Sequence, residues 1–145
     1  MCYDGEIVLG ISDSSYIDVD FGKDILPTKV INKGDIIVLG RKAPRYKWMH
    51  KEAFSGEKEY LEKLDNLLIR LCERTEYVNQ LVKRYEDVNI TVYIRSDFAQ
   101  IGYSLPSYII RKMVLLDCDI YFDILSFGKV IDEDISYFST NDDVP

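Results

Sequence analysis

Between Tyr60 and Cys72 the apolar side chains fall at Tyr60, Leu61, Leu64, Leu67, Leu68, Leu71 and Cys72. Spacing of three and four residues puts all seven on one stripe of a helix, and that stripe must be covered by another layer. Ser55 or Gly56 can cap its start, and Glu57 and Glu59 suit the positive end of its dipole. The period slips at Thr75 and resumes at Tyr77, Val78, Leu81, Val82 and Tyr85, which predicts a kink or a second helix. The period then changes to two: Ile90, Val92 and Ile94 alternate with Thr91, Tyr93 and Arg95. That is a half-buried strand. A long amphipathic helix followed by a one-sided strand calls for a sheet with its helices on one face.

The remaining segments fit that plan. Ile7 to Ile11 reads as a short strand ended by Ser12-Asp13-Ser14-Ser15. Tyr16 to Leu26 mixes acids with Ile17, Val19, Phe21 and Ile25, as a short helix or an irregular loop closed by Pro27. Thr28 to Ile31 and Ile36 to Leu39 flank Asn32-Lys33-Gly34-Asp35 and predict a hairpin. Arg45 to Phe54 predicts a further strand. Ser104-Leu105-Pro106 opens a helix with Ile109, Ile110, Met113 and Leu116 on one face, and Ile120, Phe122 and Ile124 mark a last strand. The expected fold is α+β: an antiparallel or mixed sheet with helices packed on one face, ferredoxin-like βαββαβ with additions. Residues 1–128 are expected to form a single domain and residues 129–145 an acidic C-terminal extension.

A chain of 145 residues suits one domain with a core that needs no staples. The three cysteines, Cys2, Cys72 and Cys118, are odd in number and lack C-x-x-C spacing, so all three are expected to be reduced. No apolar run reaches the roughly 20 residues that cross a bilayer. The acidic start, Met1 to Glu6, lacks a basic leader, so a cytoplasmic location away from membranes is expected.

Charge is unevenly placed. Lys29, Lys33, Arg41, Lys42, Arg45, Lys47 and Lys51 stand against Asp35 alone, a local +6 in a chain whose net charge is −7. The other residues therefore carry −13, mostly before Pro27 and after Leu116. Such a body repels nucleic acid and draws basic proteins toward it.

Tests for chemistry return little. His50 is the single histidine, which leaves no multi-histidine metal site; a surface or packing role is expected of it. Val114-Leu115-Leu116-Asp117-Cys118-Asp119 ends an apolar run in D-x-D, a pattern that holds Mg²⁺ in phosphatases of the haloacid dehalogenase type. Those enzymes place it after a central strand with much of the fold downstream, whereas only 26 residues follow Asp119. No Gly-rich phosphate cradle is present, and no cofactor is expected. Arg41 to Lys51, with Tyr46 and Trp48 interleaved, superficially resembles a single-stranded nucleic-acid platform. The acidic total argues instead for a solvated strand face pairing with the protein's own acids. In the tail, Asp132, Glu133, Asp134, Asp142 and Asp143 surround Tyr137 and Phe138, an acidic surface with aromatic anchors. Asp18 and Asp20 supply similar charge near the other end.

Leu26-Pro27-Thr28-Lys29, Lys33-Gly34-Asp35, Trp48 in a strand before a leucine-rich helix, and Leu116-Asp117-Cys118-Asp119-Ile120-Tyr121-Phe122 together resemble the bacterial family DUF 4279, over roughly residues 6 to 126. The resemblance implies no catalytic residues, since that family has no agreed activity; some small acidic domains of this kind look like immunity proteins encoded beside secreted toxins. The expected function is accordingly non-catalytic: an immunity (antitoxin) protein that occludes a basic toxin domain such as a nuclease. Its partner-binding residues would be Asp132, Glu133, Asp134, Tyr137, Phe138, Asp142, Asp143, Asp18 and Asp20. A regulatory small-ligand module, and a Mg²⁺-dependent enzyme using Asp117 and Asp119, are the alternatives.

Overall fold

Ile7, Leu9 and Ile11 are almost completely buried, and the strand that carries them, β1 (Asp4–Asp13), has a neighbour on each side. The computed structural model describes residues 3–129. β1 pairs antiparallel with β3 (Tyr46–Ser55) along one edge and with β4 (Asp87–Phe98) along the other. β2 (Lys29–Ile31) extends the sheet beyond β3, and β5 (Asp119–Lys129) pairs parallel with β4. The order is β2-β3-β1-β4-β5, a mixed five-stranded sheet.

Helices α1 (Gly56–Cys72) and α2 (Thr75–Arg84) connect β3 to β4, and α3 (Ser107–Leu116) connects β4 to β5. Both connections join strands that run the same way, β3 to β4 across the intervening β1 and β4 to β5 directly. The helices pack on one side of the sheet. Tyr60, Leu64, Leu67, Leu68 and Leu71 of α1 are wholly buried, as are Ile90, Val92 and Ile94 of β4 beneath them. The break at Thr75 is a change of helix, closed by a 2.8 Å hydrogen bond from Thr75 Oγ1 to the Cys72 carbonyl.

The α+β class and the one-sided helix layer follow the expectation. The strand connections do not trace the βαββαβ order, because Tyr16 to Leu26 forms no helix between β1 and β2. It is an irregular strap whose Phe21 and Ile25 enter the core. Its backbone amides cannot bond one another as a helix would, so side chains take that part. Tyr85 Oη accepts from Asp18 N at 2.8 Å and donates to Asp18 O at 3.1 Å, and Tyr77 Oη accepts from Asp20 N at 2.9 Å. Phe21 meets Trp48 and Tyr77 with ring centres 5.7 and 5.3 Å apart.

Two local expectations are corrected. Ile36 to Leu39 is no hairpin strand: β2 pairs with β3, Ile36 forms one isolated bridge with Lys42, and Val38–Gly40 is a 3-10 turn. These side chains have no layer to pack on, so the strand pattern has nothing to enforce it. Ile110 of α3 is 46% exposed, because only Ile109 and Leu116 of that helix point fully into the core.

At the start of β1, Gly5 lies between Phe54 and Ile94. A Cβ there would stand 1.7 Å from the Tyr93 carbonyl oxygen and 2.8 Å from the Phe54 ring. Backbone cannot yield as a flexible side chain can, so Gly5→Ala is expected to force β1 and β4 apart. A loss of at least about 2 kcal/mol in chemical denaturation is expected, against under about 0.5 kcal/mol for a surface change such as Lys58→Ala.

Candidate functional site

The same alternation that buries one face of the sheet lays out the other. Glu6 falls between Ala53 and Tyr93, Val8 between Lys51 and Thr91, and Asp4 between Ser55 and Arg95. On β5, Tyr121, Asp123 and Leu125 stand beside Thr91, Tyr93 and Arg95. Among the described residues no helix covers this face. A recess of about 390 Å³ is walled by Glu6, Lys51, Tyr93, Arg95, Asp123 and Leu125 over Val8 and Met49. A second recess, about 460 Å³, lies towards the Asp4 end, beside Asp97 and Phe127.

The face carries charges of both signs beside exposed rings. On the helix side Arg70 bonds Glu52 at 2.8 Å, Arg74 bonds Asp24 at 3.0 Å, and Lys112 bonds Asp65, while Glu73, Glu76, Lys83, Arg84 and Arg111 make no ion pair among the described residues. On the open face, Glu6, Lys51, Arg95, Asp97 and Asp123 make no ion pair among the described residues. Beside them Tyr93, Tyr121, Leu125 and Phe127 are between 42% and 61% exposed. Unpaired charges around exposed rings can give a partner both ionic and apolar contacts without first breaking contacts within the protein. The β4–β5 half is the acidic one, with Asp97, Asp119 and Asp123 against Arg95; Lys47 and Lys51 lie on the β3 half.

The residues expected to bind a partner are only partly gathered. Asp18 and Asp20 are exposed, but their strap is bound to Tyr85 and Tyr77 beside the helices, away from the open face. Asp132, Glu133, Asp134, Tyr137, Phe138, Asp142 and Asp143, with the C-terminal extension they belong to, lie outside the described residues. Asp117 takes a left-handed conformation, φ 56°, at the end of α3, and Asp119 opens β5, so the D-x-D spans a helix-to-strand turn as expected. The two border a groove whose other walls are largely apolar, Leu105, Ile110, Met113 and Val114 among them. No cluster of three or more possible metal-binding side chains stands together among the described residues. Cys118 is a half-buried thiol whose pKa is pushed up to about 11, by burial first and by the Asp119 charge next; burial likewise raises that of Cys72. At neutral pH both are thiols, which react poorly as nucleophiles. Of the seven bases between Lys29 and Lys51, only Arg45 pairs with an acid, Glu86 at 2.7 Å, so the expected pairing of that stretch with the protein's own acids is largely unmet among the described residues.

Tyr93, Arg95, Asp123 and Leu125 carried no motif in the sequence, and Tyr121 stood only within the family-like stretch Leu116 to Phe122. The available signal was that the polar half of each alternating strand holds large rings and not only small polar groups. Reading it as a site required knowing that β1, β4 and β5 are neighbours.

The family model described as "Domain of unknown function (DUF4279)" matches residues 23–127, and the chain belongs to that family. The matched span runs from the strap through nearly all of β5 and includes the basic stretch, while β1 precedes it. No curated protein and no solved structure matches the chain.

His50 holds the strap to the sheet. Its Nδ1 lies 2.6 Å from the Leu26 carbonyl and donates to it, and its Nε2 lies 3.2 Å from Glu52, which Arg70 also holds. The bond to Glu52 raises the His50 pKa above its ordinary 6.5, against the opposing effect of burial, and the Leu26 carbonyl adds to the rise. The bond to His50 is also the main cause lowering Glu52 below its ordinary 4.5. A raised histidine pKa gives stability that is complete below the unfolded value and is lost as pH rises through the folded one; a lowered carboxyl pKa gives stability lost as pH falls. Both contributions are present between 4.5 and 6.5. The stability gap between the natural protein and His50→Gln is therefore expected to be widest in that window and to narrow above it, in denaturant titrations across pH. A constant gap from acid to alkaline pH would contradict this.

Proposed function

We propose that this chain is a non-catalytic protein-interaction domain, most concretely an immunity protein that occludes a basic toxin domain such as a nuclease. The observation that carries the reading is the β4–β5 half of the open face, where Asp97, Asp119 and Asp123 surround Tyr93, Tyr121, Leu125 and Phe127. Carboxylates there would pair with the partner's lysines and arginines, and the rings would fill its apolar hollows. A surface of this kind can cover a site built for phosphates by presenting carboxylates in their place. β5 leads directly into the acidic segment after Lys129. In this proposal Asp132, Glu133, Asp134, Tyr137, Phe138, Asp142 and Asp143 belong to the same set of partner-binding residues, in the cytoplasm of the producing cell. Asp18 and Asp20, on the strap, form a separate acidic site that would contribute only to long-range steering.

The test is co-expression with a toxin domain encoded beside this chain. Rescue of growth and a stable complex are expected, weakened by salt. Joint reversal of Asp119 and Asp123 to lysine is expected to weaken binding about tenfold or more, mainly through slower association. Binding that ignores both salt and these reversals would remove the basis of the proposal.

A second reading has its own support in the recess of about 390 Å³, where Lys51 and Arg95 stand opposite Glu6 and Asp123. Opposed charges over an apolar floor suit a small zwitterionic ligand and a regulatory role. Thermal stabilisation by such a metabolite, abolished by Arg95→Ala, is the expected result. A melting temperature unmoved across a panel of amino acids and related metabolites would count against it.

A further inference from the structure

At the corner of the sheet between β2 and β3, Ile36, Val38 and Leu39 are 78%, 80% and 89% exposed. Three aliphatic side chains this bare within four residues are costly in water unless something else covers them. They are held there by a built loop. Gly34 N bonds the Ala43 carbonyl at 2.8 Å, Ala43 N bonds the Asp35 carbonyl at 2.7 Å, and Ile37 N bonds the Arg41 carbonyl at 2.7 Å. The Asp35 carboxylate accepts from Asn32 N at 2.8 Å, so the loop's single acid is engaged inside it. Leu39 itself sits at φ 61°, a conformation few branched side chains adopt, and it points its side chain outward.

Behind this tip stand exposed bases. Lys33, Arg41 and Lys42 lie on the two arms of the loop and Lys29 on β2, none of them ion-paired among the described residues. Glu86 bonds Arg45, which closes the loop just before β3. The result is layered: aliphatic groups at the tip, with Lys33, Arg41 and Lys42 two or three residues away along the chain and Lys29 further back on β2.

We propose that this loop is a peripheral docking point for an anionic lipid bilayer, with Ile36, Val38 and Leu39 entering the interface and the bases resting among the headgroups. The layering matches the bilayer's own order of apolar interior beneath a negatively charged surface. Charge complementarity selects an anionic surface. A convex tip without an aromatic ring has nothing on which to stack nucleic-acid bases. A fluid bilayer also accepts such a tip without a matching pocket. No helix among the described residues is long and apolar enough to cross a membrane, so the contact would rest on the surface. The inference is independent of the open sheet face.

The experiment is co-sedimentation of the full chain with vesicles of phosphatidylcholine alone or with one-third phosphatidylglycerol. Binding to the anionic vesicles only is expected, and it should be lost in high salt. Val38→Asp with Leu39→Asp is expected to weaken it roughly tenfold or more; aspartate tolerates the left-handed position, and an unchanged circular dichroism spectrum would show that the fold is kept. Lys33→Glu with Arg41→Glu should weaken it similarly, and Lys83→Glu on α2 should not. Absence of binding to anionic vesicles, equal binding to neutral ones, or binding indifferent to the tip variants would each overturn the proposal. Capture of an acidic protein by the loop without vesicle binding would overturn it too.

Discussion

The pairing of β1 with two antiparallel neighbours is the contact on which the rest of this molecule depends. β1 is the first strand in the chain, yet both edges of it are taken, by β3 and by β4. That arrangement sets β3 and β4 parallel to one another with one strand between, so their connection must cross the sheet, and a pair of helices makes the crossing. The close approach of Gly5 to the Tyr93 carbonyl belongs to the same contact, since a side chain there would stand where the β4 backbone runs.

With β1 in the centre, one face of the sheet is sealed twice. The helices cover the β1–β4 half, and the strap from Tyr16 to Leu26 covers the β3 half, where Phe21 packs on Trp48 and His50 bonds the Leu26 carbonyl. Of the polar groups buried there, the Tyr3 hydroxyl has no hydrogen-bond partner among the described residues, whereas Asp13 is satisfied. The carboxylate of Asp13, 6% exposed, accepts from Ser15 N at 2.7 Å and from Glu86 N at 2.9 Å. The other face has no such cover among the described residues, and Glu6, Lys51, Arg95, Asp97 and Asp123 stand on it without ion pairs. The division gives the molecule a stable side and an available side.

Two surfaces of opposite character result. The β4–β5 half of the open face joins carboxylates to exposed rings, while the loop between β2 and β3 joins bases to aliphatic tips. They sit at different parts of the sheet, so an acidic protein overall can carry a basic, apolar corner without self-neutralisation. For a molecule of net charge −7, that corner is where the average charge misleads most.

Periodicity alone determined the long helix, the main strands and the class of fold. The stripe from Tyr60 to Leu71 could only be a helix seeking cover, and Ile90, Val92 and Ile94 could only be one side of a strand, because burial obeys the geometry of each backbone. The helix break at Thr75 and the D-x-D turn at Asp117 were legible for the same reason. Tertiary structure decided everything that depends on which strands are neighbours. Period two says that Tyr93, Asp123 and Glu6 share no face with the core, but only the register β3-β1-β4-β5 sets them around one recess. Ile36 to Leu39 shows the converse: four residues with strong strand preference become an exposed turn, because preference needs a layer to pack on and the sheet offers none at that corner.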